Sequence, residues 1–376
     1  RRGMNRPQRI QDLIGLLNRL YPPALAEEWD NVGMQVGDPQ AAVERVLIAL
    51  DPSEQAVHRA REVGAQALVT HHPLIFKPLK RLTPEDMTGR TAWSAVNGQV
   101  AIICAHTNLD AAQDGLNDWL AQRLGLEETQ PLLGRSGDFL KLVVFVPRDH
   151  VEAVSESLFS SGAGQIGAYD RCSFRASGIG TFRPGPGTNP FAGTIGQTEL
   201  ADEIRLETIL PKRQLGRCLE KMRRAHPYEE VAYDLIPLDN QTPGTGLGRI
   251  GKLPNPVAVD QFAVRVKELL DCSHLRMVNG GKKEVRKLAV CGGSGAGLVS
   301  AAFQQGADLL VTGDIKYHDA RTAEELGIAL IDAGHFATER LMINGVAENL
   351  RRAAQDKHWQ IEFVVYTEET DPFRII

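Results

Sequence analysis

At 376 residues the chain is too long for one ordinary core, so two or three domains are expected. Its 42 Lys and Arg against 47 Asp and Glu leave a net charge of −5, which excludes an overall basic field that would attract nucleic acid. Five scattered cysteines (Cys104, Cys172, Cys218, Cys272, Cys291) form no CxxC pair, so neither a disulfide framework nor a zinc ribbon is expected. They fit a reducing, cytoplasmic setting. No apolar run approaches the roughly 18 residues of a membrane-spanning helix. The basic start Arg1-Arg2-Gly3-Met4 lacks the apolar stretch of a signal peptide, and Met4 is a candidate natural start.

Val46 to Leu50 is a short apolar run of buried-strand length. Asp51-Pro52-Ser53-Glu54 follows as a helix-start signal, and Ala56, Val57, Ala60 and Val63 then recur at helical spacing. Gly64 ends that helix, and Ala67 to Thr70 reads as a second strand. Thr70-His71-His72-Pro73 falls at its carboxyl end, where open α/β sheets place ligands. Neighbouring residues of a strand point to opposite faces, so His71 and His72 can share a site only where the strand has become a turn. Pro73 suits that geometry. Val100 to Ile103 is a third strand, leading to His106 and, four residues on, Asp110.

A different pattern follows. Phe139 to Val146 reads as a strand, Asp149 to Ser161 as a helix and Ser173 to Phe182 as a strand. After the Gly/Pro-rich stretch from Pro184 to Pro190 come a strand (Ile204 to Leu210), a helix (Lys212 to Ala225) and a strand (Val231 to Leu238). This βαβ-βαβ order is the ferredoxin-like pattern of an α+β domain. His226, Glu229 and Glu230 offer metal-ligand chemistry there, although a helix C-terminus stopped by Pro227 is the plainer reading.

The chain then repeats itself. Leu288 to Cys291, Val299 to Phe303 and Gly306 to Thr312 align without a gap on the Val46 to Thr70 unit, with Gly64 on Gly306. Ile328 to Ile331 leads to His335 and Glu339, as Val100 to Ile103 leads to His106 and Asp110. Each strand-helix-strand unit implies parallel pairing. The expected architecture is therefore one α/β domain in two repeated halves, 4–133 and 244–376, around an α+β domain at 134–243.

The repeat directs His71, His72, His335, Asp110 and Glu339 to one crevice. This mixed nitrogen and oxygen set suits two divalent ions such as zinc, iron, manganese or cobalt, with positions left open for water or substrate. Gly292 to Gly297 follows a strand and precedes a helix, so its amides are candidates for a phosphate; close packing between the halves is an equal alternative. Trp29-Asp30-Asn31 suggests a substrate wall, with a buried Trp beside a helix cap as the plainer account. Asp314, Lys316 and His318 lie where the repeat puts His71 and His72.

Together Trp29-Asp30-Asn31-Val32-Gly33, Thr70-His71-His72-Pro73, His106-Thr107-Asn108-Leu109-Asp110, Thr312-Gly313-Asp314-Ile315-Lys316 and Gly334 to Glu339 resemble the NIF-three-like family. Its members are known as GTP cyclohydrolase 1 type 2 homologues. The resemblance implies a dinuclear centre in which His72 and Asp110 hold one ion, His71 and His335 the other, and Glu339 bridges them. It makes His106 a proton carrier rather than a ligand. Asp30, Asn31, Asn108, Asp314 and Lys316 then contact the ligands or the substrate. It further implies a hydrolase for GTP or another small phosphorylated molecule, acting through a metal-bound hydroxide, and a homohexamer. Gly164 to Tyr169 and His226 to Glu230 resemble the inserted PII/CutA-like domain of long bacterial members, so a regulatory, ligand-sensing protein is the alternative.

Overall fold

The computed structural model describes residues 7–375; Arg1 to Met4, with the candidate start, lie outside the described residues. Arg45–Ala49 forms a strand buried from Val46 onward, and Ala67–Thr70 and Ala101–Cys104 are buried throughout. Runs without polar alternation need cover on both faces, which parallel strands in α/β sheets receive. These three pair in parallel in a five-stranded sheet ordered Gly33–Val36, Ala101–Cys104, Ala67–Thr70, Arg45–Ala49, Glu362–Val365. Gly33–Val36 is antiparallel and Glu362–Val365 parallel to its neighbour. Ser53 caps the connecting helix Glu54–Glu62 by accepting a hydrogen bond from Ala56 N at 3.0 Å.

A six-stranded sheet repeats this plan. Arg276–Val278 is its antiparallel edge, followed by the parallel strands Ala329–Asp332, Leu309–Thr312 and Glu284–Val290. Gln241–Ala258 and Glu127–Ser136 complete it. Each half of the sequence also sends its last helix and strand to the other half's sheet. Leu120 and Ala121 of helix Leu116–Arg123, with Leu124 just after it, pack in the core around Val290, Val311 and Ile331. In return, Met342, Val346, Ala347 and Leu350 of helix Leu341–Asp356 pack in the core around Ile48, Val69 and Ile103. Each large aliphatic side chain so buried contributes about 1.5–3 kcal/mol.

Arg249 is fully buried in this unit. Its guanidinium donates to both carboxylate oxygens of Asp118 and to the carbonyls of Ala112, Gly244, Gly246 and Gly248. A buried charge is tolerated only with such complete pairing.

Residues Arg135–Pro243 form a second compact unit. Its antiparallel sheet is ordered Ser173–Phe182, Glu199–Pro211, Phe139–Pro147, Tyr233–Leu238. Leu140, Leu142, Val144 and Val146 alternate onto one face, where Val154 and Leu158 of helix Val151–Phe159 and Cys218 and Met222 of helix Leu215–Ala225 cover them. All five cysteines are free, and no described helix is long and apolar enough to cross a membrane.

Candidate metal centre

The strand Ala67–Thr70 ends by curling around one carbonyl: His71 N and His72 N both donate to Leu50 O at 3.1 Å. This turn lets consecutive histidines face one site, with ring centroids 5.2 Å apart. His106 caps the short helix Thr107–Ala111, and His335 opens the helix His335–Glu339 after Gly334. The strand ends meet closely. A Cβ on Gly313 would lie 2.7 Å from His335 N, and one on Gly293 would lie 2.2 Å from Glu339 Oε1.

Glu339 is the hub. Its side chain is buried; Oε1 lies 3.5 Å from His71 Nε2, and Oε2 lies 2.9 Å from both His72 Nε2 and His335 Nε2. His71 Nε2 is also 3.5 Å from Asp110 Oδ1, and the Nε2 atoms of His72 and His335 are 3.3 Å apart. The distances therefore group His71 with Asp110 and His72 with His335, opposite to the pairing the motifs implied. The reason is the turn at Leu50, which sends His71 toward the first half's helix and His72 toward the second half's strand ends.

Each imidazole is oriented from behind. His71 Nδ1 donates to Ala105 O at 2.9 Å, His72 Nδ1 to Asp51 Oδ1 at 2.7 Å and His335 Nδ1 to Asp314 Oδ2 at 2.6 Å. All three Nε2 atoms thus point inward, the arrangement of histidines that ligate metal. His71 Nε2 and Asp110 Oδ1 are buried without a hydrogen-bond partner. Buried polar atoms are rarely left so, and a cation between them would satisfy both. His72, His335 and Glu339 form one group able to hold an ion, and His71, His72 and His106 another.

The electrostatics agree. Burial disfavours a charged His72, but Asp51 and Glu339 outweigh it and raise its pKa to about 10. Glu339, ahead of burial, raises His335 to about 9. Burial pushes Asp110 up to about 6 despite His71 nearby. Burial alone would raise Glu339 too, yet His71 and the hydrogen-bonding imidazoles hold it well below the usual carboxylate range. Burial also raises the Cys291 thiol, with Asp110 and Glu339 adding to the effect, so this nearby sulfur stays protonated.

His106 stands beside the cluster, with one ring nitrogen within 4.8 Å of ligand atoms on His71 and His72. Its Nδ1 donates to Asp30 Oδ1 at 2.9 Å. Burial would raise Asp30, but hydrogen bonds from His106 and Thr107 lower it to about 2. Asn108 is buried and braces this turn, accepting from His106 N and donating to Tyr21 O. Asn31 donates to Ile75 O at the margin. Trp29, instead of being buried, is 59% exposed and stands edge-on to His106, with ring centroids 6.1 Å apart. Asp30 turns inward and its neighbour therefore outward.

Two expected contributors are absent from the cluster. Lys316 is the N-cap residue of helix Tyr317–Leu326 and lines a separate cleft with Arg276 and Tyr317. Three amides of the glycine loop are taken up by packing between strand ends: Gly292 N, Gly293 N and Gly295 N donate to Asn117 Oδ1, Thr338 Oγ1 and Thr312 Oγ1. In the inserted unit His226 is satisfied by backbone on both nitrogens, donating to Phe145 O and accepting from Tyr228 N, so it is no ligand.

The sequence marks Asp51 only as part of a helix-start signal, and it does not single out Glu369. Asp51 follows the strand paired with Ala67–Thr70, at the same carboxyl edge, and that adjacency was the available signal. Glu369 accepts from Leu50 N and Asp51 N at 2.7 and 2.8 Å. The tail beyond it, with Phe373 and Arg374, lines a cleft of about 700 Å³ that reaches His72, His335 and Asp314.

Two sheets of one plan, turning their strand ends onto a shared glutamate, define a mixed α/β protein built around a candidate metal centre. The model of the Duf34/NIF3 (NGG1p interacting factor 3) family matches residues 8–372, and the chain belongs to that family. A GTP cyclohydrolase 1 type 2 homolog of Halalkalibacterium halodurans is 41% identical over 367 residues, covering 97% of this chain and 98% of the relative. One from Bacillus subtilis is 39% identical with the same coverage. The crystal structure of a Bacillus cereus protein related to NIF3 superposes with a TM-score of 0.85 at 40% identity, over 99% of this chain and 100% of that one.

Proposed function

We propose that this protein binds two divalent ions and hydrolyses a nucleotide or related phosphorylated small molecule. The observation that carries the reading is the inward aim of three Nε2 atoms at one buried glutamate, each imidazole fixed through Nδ1. His71, Asp110 and Glu339 Oε1 would hold one ion, and His72, His335 and Glu339 Oε2 the other. Zinc, iron, manganese and cobalt suit such a set. Divalent ions in such a site supply Lewis acidity and lower the pKa of a water molecule. His106 accepts a proton at Nε2 while Asp30 keeps Nδ1–H in place and stabilises the resulting imidazolium. Trp29 stands beside His106, and the tail borders the cleft reaching His72 and His335, where a substrate would sit.

The name shared by the curated relatives makes GTP the first substrate to test, with opening of the guanine imidazole ring and release of formate. The same reading takes the protein as cytoplasmic and hexameric, with a PII/CutA-like inserted unit. The βαββαβ order and the central position of the Phe139–Pro147 strand support that likeness. The test is metal content by mass spectrometry for wild type and Glu339→Ala, alongside formate release from GTP. Near two ions per chain, lost with turnover in the variant, supports the hydrolase. Stoichiometric metal without turnover on nucleotides or phosphoesters leaves the regulatory reading in front, and absence of metal after reconstitution removes the centre itself.

A further inference from the structure

The inserted unit holds a cavity of about 390 Å³ that no part of the metal chemistry uses. Phe182, Phe191 and Tyr228 form its walls. The Tyr228 ring lies 5.9 Å from Phe182 at 55° and 6.0 Å from Phe191 at 47°, so the rings are tilted to one another rather than stacked. Phe145 also lines it. The charged residues in the lining are Glu203, Glu229 and Glu230, with no Lys, Arg or His among them.

Glu203 is only 8% exposed, yet among the described residues no Lys or Arg pairs with it. Its Oε1 accepts from Tyr228 OH at 2.9 Å, which fixes the carboxylate against the aromatic wall. The other oxygen has room only because residue 180 is glycine, where a Cβ would lie 2.0 Å from it. A carboxylate this buried is unfavourable unless a cation or several donors compensate it. Arg183, between Phe182 and Pro184, is exposed, and other basic groups nearby are engaged or neutral. Arg205 lies 5.9 Å from the Phe145 ring and pairs with Glu207. His226 packs on Tyr228, and burial lowers its pKa, so it is neutral near pH 7. His150 meets Phe191 edge-on.

Tilted aromatic rings present negative faces, which attract weakly hydrated cations. Among the described residues these carboxylates do not converge into a group able to hold a metal ion, and an anion would face them. We propose that this cavity binds a small organic cation with an alkylammonium head, held by the faces of Phe182, Phe191 and Tyr228 and neutralised by Glu203.

Full-length, metal-loaded protein is titrated calorimetrically with choline and with 3,3-dimethylbutan-1-ol, its uncharged carbon isostere. Choline should bind about tenfold more tightly than the isostere, the scale of a desolvated cation over aromatic faces. Glu203→Gln should weaken choline about tenfold and leave the isostere unchanged. Phe191→Ala removes a half-exposed ring and so spares the fold; it should weaken choline about fivefold. Both variants should keep the wild-type metal content, which separates this site from the metal centre. Equal affinity for choline and isostere, or no heat with choline up to about 20 mM in folded protein, a range that spans ordinary weak binding, would overturn the proposal.

Discussion

Replacing Asp314 with Asn tests how the centre is divided. The carboxylate accepts from His335 Nδ1 at 2.6 Å, and its removal takes away the charge that orients that ring and makes Nε2 more basic. Asn can still accept a hydrogen bond and tolerates the positive φ of 56° found at this position, so the change is electrostatic rather than structural. Losing such a partner typically weakens metal binding 10–100-fold, or about 1.4–2.7 kcal/mol. Solvent screening places this case near the lower end, because the Asp314 side chain is 46% exposed. The loss should fall on the ion held by His72 and His335, sparing the one at His71 and Asp110. Chelator competition with metal counting should then show one ion leaving about tenfold earlier than in wild type, and the second on schedule. Asp51→Asn, which acts on His72, should weaken the same ion, and the double variant should approach a hundredfold. If both ions leave together in either single variant, the grouping drawn from the distances is wrong.

Gly293→Ala should empty the centre. A Cβ there meets Glu339 Oε1, and φ is +63°, so about 1–3 kcal/mol of strain is expected along with lost metal, visible as a lower Tm and lower metal content. The metal-free pKa values of His72 and His335, about 10 and about 9, lie above neutral pH. Both rings then hold protons at pH 7 that an incoming ion must displace, so metal affinity should rise with pH toward 9. Metal added to weakly buffered apoprotein should acidify the solution, and an unchanged indicator signal would show that the rings are already neutral. Arg249→Met strands Asp118 and four carbonyls and should cost about 3–5 kcal/mol in urea unfolding. Arg249→Lys should recover little of it, because an ammonium cannot span the same fork of acceptors.

What could be read from the sequence was whatever local pattern and repetition encode. The buried strands announced themselves by unbroken apolar runs, and the His71-His72 pair and the i,i+4 spacing at 335 and 339 stood at their ends. The repeat was needed to see that these ends converge. Contacts made by distant side chains were not legible: nothing local shows that Thr312, Thr338 and Asn117 occupy three amides of the glycine loop. Asp51 was hidden for a related reason. Its position suggested a helix start, and only the parallel register of Ala49 with Thr70 brings it beside His72. Nor does periodicity tell which of two similar sheets a helix will cover, so the crossing of the last helix and strand of each half was invisible.

That crossing makes the two halves mutually dependent. Without helix Leu341–Asp356 and strand Glu362–Val365, the first sheet loses part of its cover and its outer strand, and the second depends in the same way on Leu116–Arg123 and Glu127–Ser136. A protease nick within the inserted unit should therefore yield two fragments that remain clasped, while either fragment made alone should expose part of a sheet face and a sheet edge and aggregate. The centre, whose ligands come from both sides of the nick, assembles only when the clasp is closed, so bound metal would serve as a direct gauge of complementation.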